Sequence, residues 1–157
     1  MAKTQCDLYR SVMDKSFKSI KIGTYPGDGV LDPRWEDTEY YSKKLGRMVT
    51  SKADVDVEIG KEGPEVVPGG GTSLHDVPGW FPNYDFWIPE GTEYSDELVI
   101  KKDAKQKSSF FNPNLKGFHY QIECKTRMTI LTMKGYLNNM ARAAVVRQCE
   151  LAKSGSK

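Results

Sequence analysis

Histidine is scarce in this chain, two in 157 residues, and the three cysteines, Cys6, Cys124 and Cys149, are far apart with no Cys-x-x-Cys pair. Zinc centres need such ligands at close spacing, so no metal is expected, and an odd set of dispersed thiols argues against a disulfide framework. Charge excess is missing too: 23 Lys and Arg against 21 Asp and Glu leave a formal net charge of +2. That balance gives no specific nucleic-acid signal and no pull toward an anionic membrane. No stretch approaches the ~18 apolar residues of a membrane span, and Met1 to Asp7 lacks the apolar centre of a signal peptide. The expectation is a soluble polypeptide working in a reducing cytoplasm, exported, if at all, by machinery that reads no signal peptide.

What the chain does have is aromatic bulk and glycine. Three Trp, eight Tyr and six Phe compensate for a hydrophobic content of 38%, because each aromatic buries a large area. The length suits one domain over residues 1–157, with 154–157 as a frayed tail. The most distinctive stretch is Pro68-Gly69-Gly70-Gly71-Thr72-Ser73-Leu74-His75-Asp76. Three consecutive glycines let a backbone approach a ligand or take positive φ, and two hydroxyls follow at the start of an extended run.

Local patterns give an outline of the fold. Leu8, Arg10 and Val12 alternate with Tyr9 and Ser11, a strand that places an arginine on an apolar face, where it must meet either a buried carboxylate or a ligand cleft. Asp14 to Leu31 reads as a surface excursion. Asp32-Pro33, with acids after it and Gly46 as a stop, predicts a helix over Pro33 to Leu45. Val55, Val57 and Ile59 predict a half-buried strand, and the glycines and prolines from Gly60 to Gly71 predict irregular structure. Strands are also expected at Asp85–Ile88, Leu98–Ile100 and Phe118–Cys124, the last with His119, Gln121 and Glu123 on one face. Phe110 and Phe111 sit in a long polar connection, covering a cleft or partner or forming a small local core. Met128 to Ala152 is a long helix with Ile130, Met133, Leu137, Met140, Ala144 and Leu151 on its packed stripe, and with Arg142 and Arg147 as solvated charges. The sum is an α+β domain, a bent mixed or antiparallel sheet with one long terminal helix.

Arg10, the Thr72-Ser73 pair and the His119, Gln121 and Glu123 face together suit N-glycosidic bond cleavage. That chemistry wants a cation for a pyrophosphate, hydroxyl or backbone partners for a ribose, and a carboxylate beside a developing oxocarbenium carbon. The bland reading is equally concrete: Arg10 paired with Glu123 inside the protein, Ser73 as a ladder-edge hydroxyl, and His119 as a satisfied ring.

Leu8-Tyr9-Arg10, Gly71-Thr72-Ser73 and Gln121-Ile122-Glu123 resemble, in order, the arginine, Ser-Thr-Ser and Gln/Glu-x-Glu signatures of ADP-ribosyltransferases. With Ile88-Pro89-Glu90-Gly91-Thr92, His119-Tyr120 and the Leu137-Asn138-Asn139, Arg142 and Arg147-Gln148 helix, the chain is similar to the Tse family of type VI secretion effector toxins with an ADP-ribosyltransferase-like fold. The resemblance implies a small cytotoxin acting in the cytoplasm, with NAD as substrate, a macromolecular acceptor, and a cognate immunity protein covering its cleft. On that likeness Arg10 contacts the phosphates, Gly71, Thr72 and Ser73 hold the nicotinamide ribose, Glu123 or His119 stabilises the oxocarbenium carbon, and Gln121 orients the acceptor. The effector is not expected to carry an acid where Glu123 stands, so His119 is the alternative there. Plain NAD hydrolysis, and a non-catalytic binding protein on the same fold, are the other two readings.

Overall fold

The computed structural model describes residues 1–12, 17 and 20–155. The strands are β1 (Ala2–Lys3), β2 (Leu8–Val12), the hairpin of β3 (Thr38–Ser42) with β4 (Arg47–Ser51), and the hairpin of β5 (Asp56–Gly60) with β6 (Gly63–Val67). After them come β7 (Gly71–His75), β8 (Tyr84–Ile88), β9 (Glu93–Tyr94), β10 (Leu98–Lys102), β11 (Lys107–Ser108), β12 (Lys116–Gly117), β13 (His119–Cys124) and β14 (Met128–Thr129). A 26-residue helix, α1 (Ile130–Gly155), follows. Five strands form the central sheet in the order β10-β13-β7-β2-β8, each neighbouring pair antiparallel. The α+β architecture with one long C-terminal helix is therefore the one read from the sequence.

Alternation divides the central sheet into two faces. Leu8, Leu74, Phe86, Ile88, Leu98 and Ile122 point to one side and are all at most 1% exposed. Helix α1 covers this core with Met133, Leu137, Met140, Ala141 and Ala144, each 0% exposed, and Thr129 Oγ1 caps its first turn by accepting from the Thr132 amide at 3.1 Å. The opposite face carries Ser73, His75, His119, Gln121 and Glu123, aligned by the β7–β13 register His75↔His119, Ser73↔Gln121 and Gly71↔Glu123.

Several expectations are corrected. The helix over Pro33 to Leu45 does not form. Arg34 is fixed instead by two bonds to Asp54, its amide donating to Asp54 Oδ2 at 2.7 Å and its carbonyl accepting from the Asp54 amide at 2.8 Å. Thr38 to Ser42, with two tyrosines, then pairs with β4, and Gly46 at φ +66° makes the hairpin turn. Gly60 to Gly71 is not irregular throughout, since β6 lies within it and buries Val66. The half-buried strand at Val55–Ile59 becomes β5 with Val57 and Ile59 exposed, and only Val55, just before it, is buried. Of the tail expected to fray at 154–157, Ser154 and Gly155 belong to α1, and 156–157 lie outside the described residues. So do 13–16 and 18–19 of the surface excursion; from 20 to 35 the chain forms a strap lying against α1.

The strap is tied down by polar side chains from the helix. Buried Gln148 accepts from the Gly23 amide at 2.7 Å and donates to the Trp87 carbonyl at 2.5 Å, and Asn138 accepts from the Gly29 amide at 3.0 Å. Arg142 is not simply solvated: its guanidinium pairs with Asp28 at 2.9 Å and lies over the Tyr25 ring, whose hydroxyl donates to the same carboxylate. Arg147 donates to the Glu90 carbonyl at 3.0 Å.

Gly71 has a packing reason of its own. A Cβ built there would sit 1.7 Å from the Ile122 carbonyl oxygen of β13, so the missing side chain lets two backbones close up rather than admitting a ligand. Gly71→Ala is expected to cost about 3 kcal/mol or more, read as a lowered denaturant midpoint. An unchanged midpoint would show that the ladder adjusts without strain.

Candidate active site

β2 and β7 belong to one sheet but pair only at Tyr9↔His75. Beyond that point, toward Val12 and Gly71, the two strands part, and the strap enters the wedge between them. An opened ladder leaves carbonyls that must find other donors. Arg10 supplies them, donating from one guanidinium nitrogen to the Ser73 carbonyl at 3.1 Å and from the other to the Asp32 carbonyl at 2.8 Å. Thr72 does the same for Leu31, its hydroxyl donating to the Leu31 carbonyl at 2.6 Å. Arg10 thus meets backbone carbonyls at the border of a cleft, with Asp32 and Asp54 nearby, and makes no ion pair with Glu123, which faces Lys101.

A cleft of about 860 Å³ opens between the strap and the wedge, in the upper part of the usual range of about 300–1,000 Å³ for small-molecule sites. Arg10 and Arg34 give it positive charge, Asp28, Asp32 and Asp54 negative charge, and Trp35 and Phe81 are among its aromatic walls. Ser73 and His75 border it from β7. Burial pulls the Arg10 guanidinium below its ordinary range, against the opposing pull of Asp54 and Asp32. Burial likewise raises Asp32, opposed by the Trp35 indole and by Lys134 and Arg10.

The sequence candidates are divided by this geometry. Arg10 and Ser73 border the cleft. Thr72 is 0% exposed on the core face, where its hydroxyl pins the strap, and Gly71 is packed against β13; neither lines the cleft. His119, Gln121 and Glu123 share the face of Ser73 and His75 but stand one strand further on, a displacement of about 4.8 Å. His119 approaches within 5.4 Å of His75, ring centre to ring centre, and its Nδ1 lies 3.1 Å from Asp103 Oδ2. Glu123, 4% exposed, accepts from the Gln121 amide at 2.9 Å and lies 3.2 Å from Lys101 Nζ. Among the described residues no cluster of three His, Cys, Asp or Glu side chains could hold a metal.

Sequence reasoning missed His75, although it continues the Gly71, Ser73 alternation, and missed Asp32 and Trp35, whose helix-start pattern hid a cleft wall, and Asp54, read as the polar side of a strand. His75 stacks on Trp80 at 4.2 Å and 14° and meets Phe81 edge-on at 6.0 Å. Phe81 continues edge-to-face to Phe111 and on to Phe110, which is 89% exposed. The two phenylalanines thus end an aromatic row that begins in the cleft.

The chain belongs to the Tse2 ADP-ribosyltransferase toxin family, whose family model matches residues 7–149. Over 100 residues it is 33% identical to Toxin Tse2 of Pseudomonas aeruginosa, an alignment covering 62% of this chain and 60% of that protein. The chain therefore spans about 60% of the length of that curated relative.

Burial, with the neighbouring His119, lowers the His75 pKa to about 4. A base with a depressed folded-state pKa takes its proton more readily when unfolded. His75 should thus have no effect on stability above the unfolded value of about 6.5 and should lower it progressively as pH falls from there toward about 4. His75→Phe, which preserves a ring against Trp80, is expected to flatten that part of a stability–pH curve. An equal slope in the variant would place the titration elsewhere.

Proposed function

We propose that this chain is a cytotoxic NAD-dependent ADP-ribosyltransferase that modifies a macromolecule in the cytoplasm of an intoxicated cell. The observation that carries the reading is Arg10, a desolvated cation held in a split sheet at the border of a large cleft that also presents carboxylates and aromatic walls. NAD has the complementary parts: an anionic pyrophosphate for the guanidinium, a cationic nicotinamide ring that favours nearby carboxylates and aromatic faces, and ribose hydroxyls that seek acceptors. Family membership and the likeness to Toxin Tse2 support the same chemistry.

In this reading Arg10 binds the pyrophosphate and Ser73 the nicotinamide ribose. His119 and Gln121, one strand along the same face, orient the acceptor. Glu123 acts through Gln121: by accepting the amide N–H it fixes which way the amide oxygen points. Delivery by a type VI secretion system and restraint by an immunity protein follow from the resemblance to the Tse effectors. The exposed Phe110 and Phe111, at the end of the row leading from the cleft, offer a surface for the acceptor or the inhibitor. No helix among the described residues is long and apolar enough to cross a membrane.

Calorimetric titration with NAD tests the substrate. Arg10→Ala is expected to weaken binding about 10- to 100-fold, the range of one or two charge-assisted hydrogen bonds; unchanged affinity would remove the pyrophosphate role. Mass spectrometry of lysate proteins separates transfer from hydrolysis, because only transfer leaves covalent ADP-ribose. The double change Phe110→Ala, Phe111→Ala should reduce acceptor labelling or inhibitor affinity far more than NAD affinity. If both interactions kept their parent values, the aromatic surface would have no such role.

A further inference from the structure

Resting on the NAD reading, the geometry points to Asp32 as the carboxylate that touches the substrate in this cleft, accepting a ribose hydroxyl and stabilising the cationic carbon as the glycosidic bond breaks. Of the four carboxylates that could serve, three are committed. Glu123 accepts from Gln121, its other oxygen, buried and without a hydrogen bond, faces Lys101 Nζ at 3.2 Å, and it does not border the cleft. Asp28 is shared between Arg142 and Tyr25. Asp54 spends Oδ2 on the Arg34 amide that holds the strap in place.

Asp32 borders the cleft and has no close donor on either carboxylate oxygen. Its Oδ2 has only a long contact, 3.4 Å, from the Trp35 indole N–H. Its Oδ1 is buried and accepts no hydrogen bond among the described residues. Arg10 attracts this carboxylate without an ion pair to it, since the guanidinium bonds to the Asp32 main-chain carbonyl. An unsatisfied buried oxygen is costly, and such a cost is retained chiefly at functional sites, where a ligand supplies the missing donor.

The residue is also held still. The Asp32 amide donates to the Gly29 carbonyl at 3.0 Å, its carbonyl accepts from Arg10, and the following Pro33 is buried. A negative charge fixed before reaction favours the cationic transition state without reorganising. In the step itself the C1′–N bond breaks and its electron pair leaves with nicotinamide, which becomes neutral. The positive charge passes to the ribosyl C1′. A lone pair of the acceptor, water or a macromolecular nucleophile, then forms the new C1′ bond, and the acceptor's proton passes to solvent.

The test is nicotinamide release from NAD by the full chain in cell lysate, compared with NAD affinity by calorimetry, for parent and Asp32→Asn. The substitution keeps size and a carbonyl acceptor but removes the charge. Turnover is expected to fall about 100-fold or more, while the dissociation constant changes less than about threefold. A variant that keeps turnover within about threefold of the parent would overturn the assignment and leave the NAD reading standing. A parent chain that neither binds nor cleaves NAD would overturn both. If thermal melting shows Asp32→Asn unfolded, Asp32→Glu replaces it, since a carboxylate moved by one methylene should show the same split, and full turnover in that variant would equally refute the role.

Discussion

Everything in the cleft depends on Arg10 holding open a sheet that would otherwise zip shut. A β ladder closes because unpaired N–H and C=O groups are costly once out of water. Here β2 and β7 remain parted because a guanidinium and a threonine hydroxyl supply the donors a neighbouring strand would have given. The price is a desolvated cation, and Asp32 and Asp54 offset part of it. The wedge is therefore maintained by the group best suited to attract an anionic ligand into it. An apolar residue at this position would leave the Ser73 and Asp32 carbonyls without these donors, and the strap with the Thr72 bond but without the Arg10 one.

Around that wedge the work is divided between a rigid floor and a tethered wall. The floor is the core face of the sheet and the stripe of α1 beneath it, mostly close-packed apolar side chains. The wall is the strap, which buries fewer apolar groups and is held by Asn138, Arg142 and Gln148 reaching up from the helix. Asn138 and Arg142, four residues apart, share one side of α1, and Gln148 reaches the strap from nearly two turns further on. The terminal helix thus acts twice, once by packing and once by fixing the cleft wall.

The opposite face of the sheet gathers the second group of polar residues. The β7–β13 register sets Ser73 beside Gln121 and His75 beside His119, so the group bordering the cleft and the group one strand away form a continuous polar surface. At its end the buried Glu123 faces Lys101, whose side chain is mostly exposed, at 3.2 Å. The aromatic row from His75 through Phe81 to Phe111 runs from the same surface to the outside.

How much of this could be read along the chain depended on the range of the forces involved. Period-two alternation at Leu8–Val12 and Phe118–Cys124, the short apolar run Asp85–Ile88 and the long stripe from Met133 to Ala144 are local records of a buried face, and each became the element it suggested. Arg10 on an apolar face announced a partner, and the order of the three signatures pointed to the family to which the chain belongs. By contrast, Asp32-Pro33 looked like a helix start because capping preferences are local. The outcome was set by Asp54, twenty residues on, which bonds Arg34 into the strap. The glycine at position 71 suggested an open turn, and only the approach of Ile122 from β13 revealed why a side chain cannot stand there. Composition and periodicity determined the α+β architecture and the residues that face one another. Tertiary contacts decided which polar groups reached the cleft and which were used up as struts, because a side chain's role there is set by partners the local sequence does not contain.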